Sequence, residues 1–282
     1  MSRRRTGRVG WNVLALLLFA GMVFPVFWML STSLKTNDQI NSFTPIWFPR
    51  HPTLTHFSDA IHRQYFWTDV KNSVIIVVVT VALALALAFF AALALAKYRF
   101  TGRKLFIVLV IGIQMLPPAG LIIPLYVLLG NVPVLGISLV NKLSGVILVY
   151  LTFALPFCVW TLRGFLLGIP KELEEAAMVD GSTRLGAFVR ILLPLVAPGL
   201  VATSVFAFIT SWNEYIFAST LLHDGSTQTI TVWLSYLYGG NRFVDWGEIM
   251  AASTLIAIPV VIFFLLVQRR IAFGLTAGAV RG

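Results

Sequence analysis

The sequence predicts an all-α polytopic membrane protein with six transmembrane helices. Of the 282 residues, 58% are hydrophobic and only 11% are charged, whereas a soluble domain carries roughly 25% charged residues. The apolar residues are collected in six runs, each close to the ~20 residues that a helix needs to cross ~30 Å of hydrocarbon. The runs cover residues 11–30, 74–96, 105–129, 143–162, 195–222 and 249–267.

The distribution of basic residues predicts the orientation of these helices. With a cytoplasmic N-terminus, most of the 21 Lys and Arg residues lie in cytoplasmic segments, which is the usual topology signal. Both termini are then cytoplasmic, and residues 31–72 and 223–248 are external. The aromatic residues of these external segments are typical of an interfacial belt, but they would also suit a face for an external partner. Because the basic residues lie in short segments between the apolar runs, the net charge of +10 reflects the orientation of the helices in the membrane and does not indicate a nucleic-acid partner.

The first apolar run follows four arginines and superficially resembles a signal peptide. It is longer than the core of a signal peptide, and residues 31–35 after it contain no small-x-small cleavage site. We therefore expect residues 11–30 to form a transmembrane helix that is retained.

A polar stretch at residues 170–198 interrupts the apolar C-terminal half. Its spacing predicts two short amphipathic helices, with Gly181 in the left-handed conformation that commonly ends a helix. Ser182 or Thr183 would cap the second helix. The stretch is too short and too charged to span a bilayer, and its position after the fourth run places it in the cytoplasm. It is predicted to be a docking surface.

The two predicted helices have apolar faces, and prolines follow them. Pro194 and Pro198 mark positions where regular helix must restart. Residues on the apolar faces recur at helical spacing: Leu173, Ala176 and Ala177 in the first helix, and Leu185, Phe188, Val189 and Leu192 in the second.

Prolines also recur within the apolar runs. Pro117 and Pro118 predict a break in the third run, because proline removes a backbone donor and clashes with the preceding turn. In lipid, the freed carbonyl groups must find partners in neighbouring helices or water. Bent helices packed around a cavity satisfy that requirement better than straight, lipid-exposed ones.

One carboxylate lies within an apolar run, in the sequence Ser211-Trp212-Asn213-Glu214-Tyr215. A charged group inside a bilayer costs roughly 2.5–3.5 kcal/mol or more, so it usually faces protein or water. In a continuous helix, Ser211, Glu214 and Tyr215 would share one face, whose hydroxyl, carboxylate and ring could bind a polyol. An interhelical hydrogen bond that holds the fifth span to its neighbours is the structural alternative.

The sequence contains no recognisable catalytic or metal-binding motif. It has no Gly-x4-Gly-Lys-Ser/Thr nucleotide loop and no His/Glu pair at metalloprotease spacing. The single cysteine, Cys158, excludes an intrachain disulfide. If the protein drives transport, the energy must come from a partner or from an ion gradient.

Four parts of the chain match known patterns. Glu175-Ala176-Ala177, Gly181 and Ile191-x-Leu193-Pro194 occupy every position of the EAA signature Glu-Ala-Ala-x3-Gly-x9-Ile-x-Leu-Pro. The chain thereby resembles the permease subunits of bacterial ABC importers. Residues 211–217 and the tail 274–282 are similar to the maltose-type carbohydrate permeases, in the group of the second, shorter permease subunit. Residues 45–58 resemble the first external loop of that group.

The resemblance implies a type I ABC-importer permease fold. Residues 72–268 would form the transmembrane core, residues 1–71 the N-terminal tail, first helix and external loop, and residues 269–282 a cytoplasmic tail. Residues 170–194 would be the coupling element that docks on a cytoplasmic ATPase. The residues implied in that docking are Glu174, Glu175, Ala176, Ala177, Asp180, Gly181, Ile191, Leu193 and Pro194, and those of an ATPase-contacting tail are Gly274, Leu275, Thr276, Ala277 and Gly278.

The resemblance also implies partners and a substrate. A second homologous permease, two ABC ATPases and an extracytoplasmic solute-binding protein would complete the importer in a bacterial inner membrane, among membrane lipid. The chain would be no enzyme and would bind no cofactor, since ATP and Mg would be used by the ATPases. A di- or oligosaccharide would be imported past Ser211, Trp212, Asn213, Glu214 and Tyr215.

Three alternatives remain open at this point. The solute could be an amino acid or a glycerol phosphate instead of a sugar. An ion-coupled secondary carrier would need no ATPase and would take up solute alone. A scaffold subunit would transport nothing, although a carboxylate and broken helices within the membrane do not favour it.

Overall fold

The described part of the chain in this computed structural model is entirely helical apart from turns and one isolated bridge. The backbone is described for residues 3–132, 136–239 and 244–279, and the side chains for residues 11–268 of these ranges. The α-helices within these ranges are α1 (Arg3–Ser33), α2 (Asn37–Ile40), α3 (Thr55–His62), α4 (Phe66–Lys97), α5 (Arg103–Gln114), α6 (Pro118–Gly130), α7 (Leu143–Leu167), α8 (Glu172–Val179), α9 (Arg184–Ala187), α10 (Leu193–Trp212), α11 (Ile216–Leu221), α12 (Ile230–Gly239) and α13 (Trp246–Ala279).

Five of the described helical stretches are long and apolar enough to cross a membrane. They are Trp11–Ser33, Phe66–Lys97, Leu143–Leu167, Arg184–Trp212 and Trp246–Gln268. A sixth span is possible where α5 and α6 pass the same test together, although they are bent by 103° at their junction. The bend follows Gln114 and includes Pro117 and Pro118, so the predicted break in the third run is confirmed.

The chain divides into two compact units. One consists of Met1–Phe66 and Leu234–Ile258, and the other of Trp67–Trp233 and Pro259–Gly282. In the second unit, Gly199 of α10 faces Phe165 of α7, where an added Cβ would lie 2.6 Å from the ring. A glycine is required there because the two helices approach closely.

Two hydrophobic cores at opposite ends of α7 show how α5 and α6 run through the second unit. The first core surrounds the C-terminal half of α7 and includes Leu95 and Leu166, with Ile107 of α5 packed against it. The second core surrounds the N-terminal half of α7 and includes Val146 and, from α6, Leu129. The bent pair therefore runs antiparallel to α7 from one core to the other, as a single broken span does.

The same two cores order the neighbouring spans. Helix α4 passes from Ile76 in the second core to Leu95 in the first. After α7, the chain crosses back from Leu192 in the first core to Leu221 in the second. The four successive spans of this unit thus alternate in direction, as the six-span prediction requires.

The predicted limits of the fifth span are wrong at both ends. Helix does not restart at Pro194 or Pro198, because α9 continues through a π-helical turn, Phe188–Leu192, directly into α10. Pro194 cannot donate to the carbonyl of Arg190, and the wider π turn accommodates its ring and its missing N–H. At the other end α10 stops at Trp212, ten residues before the predicted end, and the chain resumes helix as α11.

Other helices extend beyond the apolar runs. Helix α4 begins at Phe66, and α13 continues to Ala279 without a break. The backbone of residues 274–278 is therefore helical and continuous with the last span, whereas their side chains lie outside the described part of the structure.

Candidate coupling element and substrate cavity

Helix α8 has the charge distribution and the terminus that the sequence predicts. Its first turn carries Glu172, Glu174 and Glu175, whose negative charges are favourable at a helix N-terminus. Gly181 has φ +87°, and its N–H donates to Met178 O at 3.1 Å. The N–H of the next residue donates to Ala177 O at 2.9 Å. These two bonds form a Schellman motif, and the predicted left-handed glycine is confirmed.

Helix α9 begins with a side-chain cap. Thr183 is its N-cap residue, and its Oγ1 accepts a hydrogen bond from Gly186 N at 3.1 Å. Of the two predicted candidates, Thr183 therefore caps the helix. Because α9 runs through the π turn into α10, the second half of the element is continuous with the fifth span.

The element is fastened to the bundle at three buried positions and one ion pair. Ala177, Ala187 and Leu192 are buried, with 9%, 2% and 1% of their surface exposed. Lys97, the last residue of α4, donates from Nζ to Glu174 Oε1 at 2.5 Å. Helix α8 is thus tied to the end of α4, and α9 is tied to α10 by the chain itself.

The opposite face of the element is exposed and partly apolar. Glu175, Ala176 and Asp180 are exposed. Four residues of the two predicted apolar faces, Leu173, Ala176, Leu185 and Val189, are exposed, and Val179 beside them is 87% exposed. Of the remaining signature residues, Ile191 and Leu193 are half-buried and Pro194 is exposed.

The chain breaks helix around Glu214 rather than continuing through it. Helix α10 ends at Trp212, so Ser211, Glu214 and Tyr215 do not share a helical face as predicted. The Glu214 carboxylate accepts hydrogen bonds from the backbone N–H groups of Phe217 and Ala218, at 2.9 and 3.1 Å. These bonds satisfy two donors of α11 that have no partner within the helix.

The backbone of the same residue links neighbouring helices. Glu214 O accepts hydrogen bonds from Tyr150 Oη at 3.4 Å and from Thr231 Oγ1 at 2.9 Å. The structural alternative, an interhelical bond at this position, is therefore present, although it uses the backbone carbonyl and not the carboxylate.

A cavity of 360 Å³ opens beside this break. Its polar groups come from Ser211 and Glu214, together with Thr210 and Tyr150, and the rest of its wall is largely aromatic or aliphatic. The bend of the third span contributes Pro118. The remaining lining residues are Phe153, Ala154, Phe206, Ile216 and Phe217.

Three of the five predicted pathway residues do not line this cavity. Trp212 is buried, with its ring stacked on Phe208 at 5.8 Å. Asn213 is exposed, and its Nδ2 donates to Ile209 O. Tyr215 is 43% exposed. Sequence reasoning identified the segment but missed the aromatic residues of the fourth span, because their position depends on how α7 packs against α10.

Alternating apolar helices, a broken span beside a cavity and an exposed helical element joined to two spans are typical of one class of protein: the membrane-embedded subunit of a transport system. The family match agrees with that class. Residues 84–276 match the binding-protein-dependent transport system inner membrane component, and the chain belongs to this family. It is a multi-pass inner-membrane protein, the permease subunit of an ABC importer.

Two relatives that cover all or nearly all of the chain are named as permeases. The chain is 45% identical to the diacetylchitobiose uptake system permease protein DasC of Streptomyces coelicolor, over 100% of both chains. It is 36% identical to the trehalose transport system permease protein SugB of Mycobacterium tuberculosis, over 96% of this chain and 97% of that protein.

A solved structure has the same fold. It is a crystal structure of a bacterial ABC transporter involved in the import of the acidic polysaccharide alginate, one chain of which matches with a TM-score of 0.80. That match covers 95% of this chain and 98% of the other, at 21% sequence identity.

Proposed function

We propose that this permease imports a di- or oligosaccharide, driven by ATP hydrolysis in separate subunits. Its relatives are named for diacetylchitobiose, trehalose and sulfoquinovosyl glycerol, all of which contain sugar rings. The cavity beside Glu214 combines aromatic faces with a hydroxyl and a carboxylate, a set that suits polyols.

The partners in this proposal are a second permease, two ABC ATPases and an external solute-binding protein. The chain itself would bind no cofactor, because ATP and Mg would be bound and used by the ATPases. The family's name already connects it to a binding protein. The cavity holds too few polar groups to select one sugar, so the binding protein and the second permease would set most of the selectivity.

The observation that supports coupling most directly is the opposite exposure of two adjacent glutamates. Glu174 is held by Lys97 at the end of α4, whereas Glu175 is exposed beside the apolar residues Ala176 and Val179. Glu174 would therefore fix α8 to the bundle, and Glu175 would anchor it in an ATPase cleft. Because α8 is tied to α4 and α9 is continuous with α10, a displacement of the element would move both spans together.

The roles of the remaining predicted residues follow from their positions. Gly181, with positive φ, would set the angle between α8 and α9. Ser211 and Glu214 would face the solute, and Trp212, Asn213 and Tyr215 would support the break. The helical tail containing Gly274, Leu275, Thr276, Ala277 and Gly278 would contact the ATPases.

Reconstitution with the candidate partners tests this function. Proteoliposomes containing this permease, the second permease and the ATPase, with the binding protein added outside, should take up labelled diacetylchitobiose or trehalose only with internal ATP. We expect Glu175→Lys to abolish uptake and solute-stimulated ATP hydrolysis, because it reverses the proposed anchor charge. Glu172→Lys changes the same charge at another exposed position of the same turn and should retain most activity.

Two outcomes would refute the proposal. Uptake by this chain alone under an ion gradient would indicate a secondary carrier. Undiminished coupling in Glu175→Lys would show that the exposed face of α8 is not the docking surface.

A further inference from the structure

A second cavity, of 330 Å³, lies wholly within the unit formed by Met1–Phe66 and Leu234–Ile258. The end of α1, the segment that follows it and the first turns of α13 form its walls. It has no part in the coupling element or in the cavity beside Glu214. The lining residues that matter here are Trp28, Thr32, Lys35, Ile46, Trp246 and Met250.

Lys35 is a buried cation without a carboxylate partner. Only 2% of its surface is exposed, and its Nζ lies 4.1 Å from the centroid of the Trp28 ring. Among the described residues, the ion pairs involve other cations. Burial lowers the pKa of Lys35, and no nearby acid opposes that effect. A cation–π contact alone does not replace the hydration of an ammonium group.

A second polar group in the same wall is also unsatisfied. Thr32 Oγ1 is buried and has no hydrogen-bond partner in the described part of the chain. Thr32 and Lys35 are three residues apart, and both line the cavity. Buried donors are normally satisfied, so two of them in one cavity indicate a ligand with oxygen acceptors.

The cavity lies where two apolar spans end, which places it at the expected depth of phospholipid headgroups. Ser33 is the last residue of the first apolar span, and Trp246 is the first residue of the last one. Tryptophan and lysine at the ends of spans are typical of the membrane interface. The apolar side chains of Ile46 and Met250 in the same wall suit the start of an acyl chain.

We propose that this cavity binds the phosphate of a glycerophospholipid, with the Lys35 ammonium and the Thr32 hydroxyl donating to phosphate oxygens. Trp28 and Trp246 flank the glycerol and ester region, and Ile46 and Met250 contact the first methylene groups. Inorganic phosphate shares the acceptor chemistry, but it lacks the apolar part that this wall accommodates. The bound lipid fastens the first span to the start of the last one.

Lipid binding to the purified transporter tests this site. The full-length permease, co-purified with its partner subunits, is titrated with dioctanoyl phosphatidylglycerol, and bound lipid is counted by native mass spectrometry. Lys35→Met should weaken binding by about tenfold or more, since a charge-assisted hydrogen bond is lost. Lys35→Arg keeps the charge and should bind nearly as wild type. Lys71→Met, at an exposed position outside the cavity, is the matched control and should not change binding.

A thermal melt in lipid-free detergent separates the site from a structural role of Lys35. Methionine removes an unpaired buried charge, so Lys35→Met should melt at or above the wild-type temperature, and only the wild type and Lys35→Arg should gain stability when lipid is added.

Equal lipid binding by wild type and Lys35→Met would overturn the proposal. Displacement of the lipid by equimolar inorganic phosphate would overturn the lipid as occupant. Loss of the second permease from Lys35→Met without a change in bound lipid would assign the lysine to a protein interface instead.

Discussion

At the scale of residues, the adjacent pair Glu174 and Glu175 shows that neighbouring identical side chains have different surroundings. A rotation of about 100° per residue along a helix places one toward Lys97 and the other toward the exterior. The sequence signature contains Glu175 but not Lys97, which is 77 residues before Glu174. The contact that fixes the coupling element is therefore invisible to a local motif.

The Lys97–Glu174 pair is expected to stabilise the docked position of α8. Both side chains are largely shielded, at 11% and 28% exposure, so the pair should contribute about 1–2 kcal/mol, more than a typical surface pair. Lys97→Glu and Glu174→Lys should each lower the melting temperature of the purified protein. The exchanged pair, Lys97→Glu with Glu174→Lys, should recover most of the loss, and a double-mutant cycle measures the coupling energy. An additive double mutant would contradict the pairing.

At the scale of elements, the two ends of the fifth span differ: the π turn before Pro194 continues the helix, whereas the break at Glu214 ends it. The π turn lets the helix continue past a proline, so that α9 and α10 form one uninterrupted helical segment. At Glu214 the helix ends, and a carboxylate satisfies the donors of the next one. The fifth span is therefore continuous at the end that carries α9 and is interrupted beside the cavity at its other end.

Two loops at the N-terminal end of α7 are held together by Asn141. This residue has φ +59°, and its Oδ1 accepts hydrogen bonds from the backbone N–H groups of His223 and Asp224 and from Thr227 Oγ1. Asparagine tolerates the left-handed conformation better than most residues. One side chain thus joins the loop before α7 to the loop after α11.

Asn141→Ala should destabilise the protein by roughly 2–3 kcal/mol, because it removes three acceptor contacts and strains the backbone. The melting temperature of the purified protein in detergent should therefore fall. Asn141→Asp keeps the acceptor oxygen and should be closer to wild type than Asn141→Ala. Indistinguishable melting temperatures for wild type and Asn141→Ala would show that the loops are held by other contacts.

At the scale of the whole molecule, the sequence predicted what depends on composition and local chemistry. Six apolar runs, the glycine with positive φ at Gly181 and the cap on α9 follow from neighbours within a few residues. The sequence did not predict that helix continues past Pro194 or that it ends at Trp212, because packing and the capping carboxylate of Glu214 determine these two features. The aromatic wall from α7 was missed for the same reason: contacts between distant segments leave no local pattern.

The direction of the broken third span decides the topology of the whole chain. If α5 and α6 cross the membrane together, Tyr98 and Asn131 lie on opposite sides; if they re-enter, both lie on one side and the chain has five spans. The packing of Ile107 in one core and Leu129 in the other supports a crossing. Both Tyr98 and Asn131 are exposed, so a cysteine at either position is open to reagent.

Single-cysteine labelling measures this directly. Cys158 is buried and can be replaced by alanine to give a background without cysteine. In that background, Asn131→Cys should react with an impermeant maleimide on intact spheroplasts, and so should Phe43→Cys, a fully exposed position that is predicted to be external. Tyr98→Cys should react only after permeabilisation, because the basic residues beside it are predicted to face the cytoplasm. Labelling of Tyr98→Cys and Asn131→Cys from the same side would instead make α5 and α6 a re-entrant loop and place the two termini on opposite sides of the membrane.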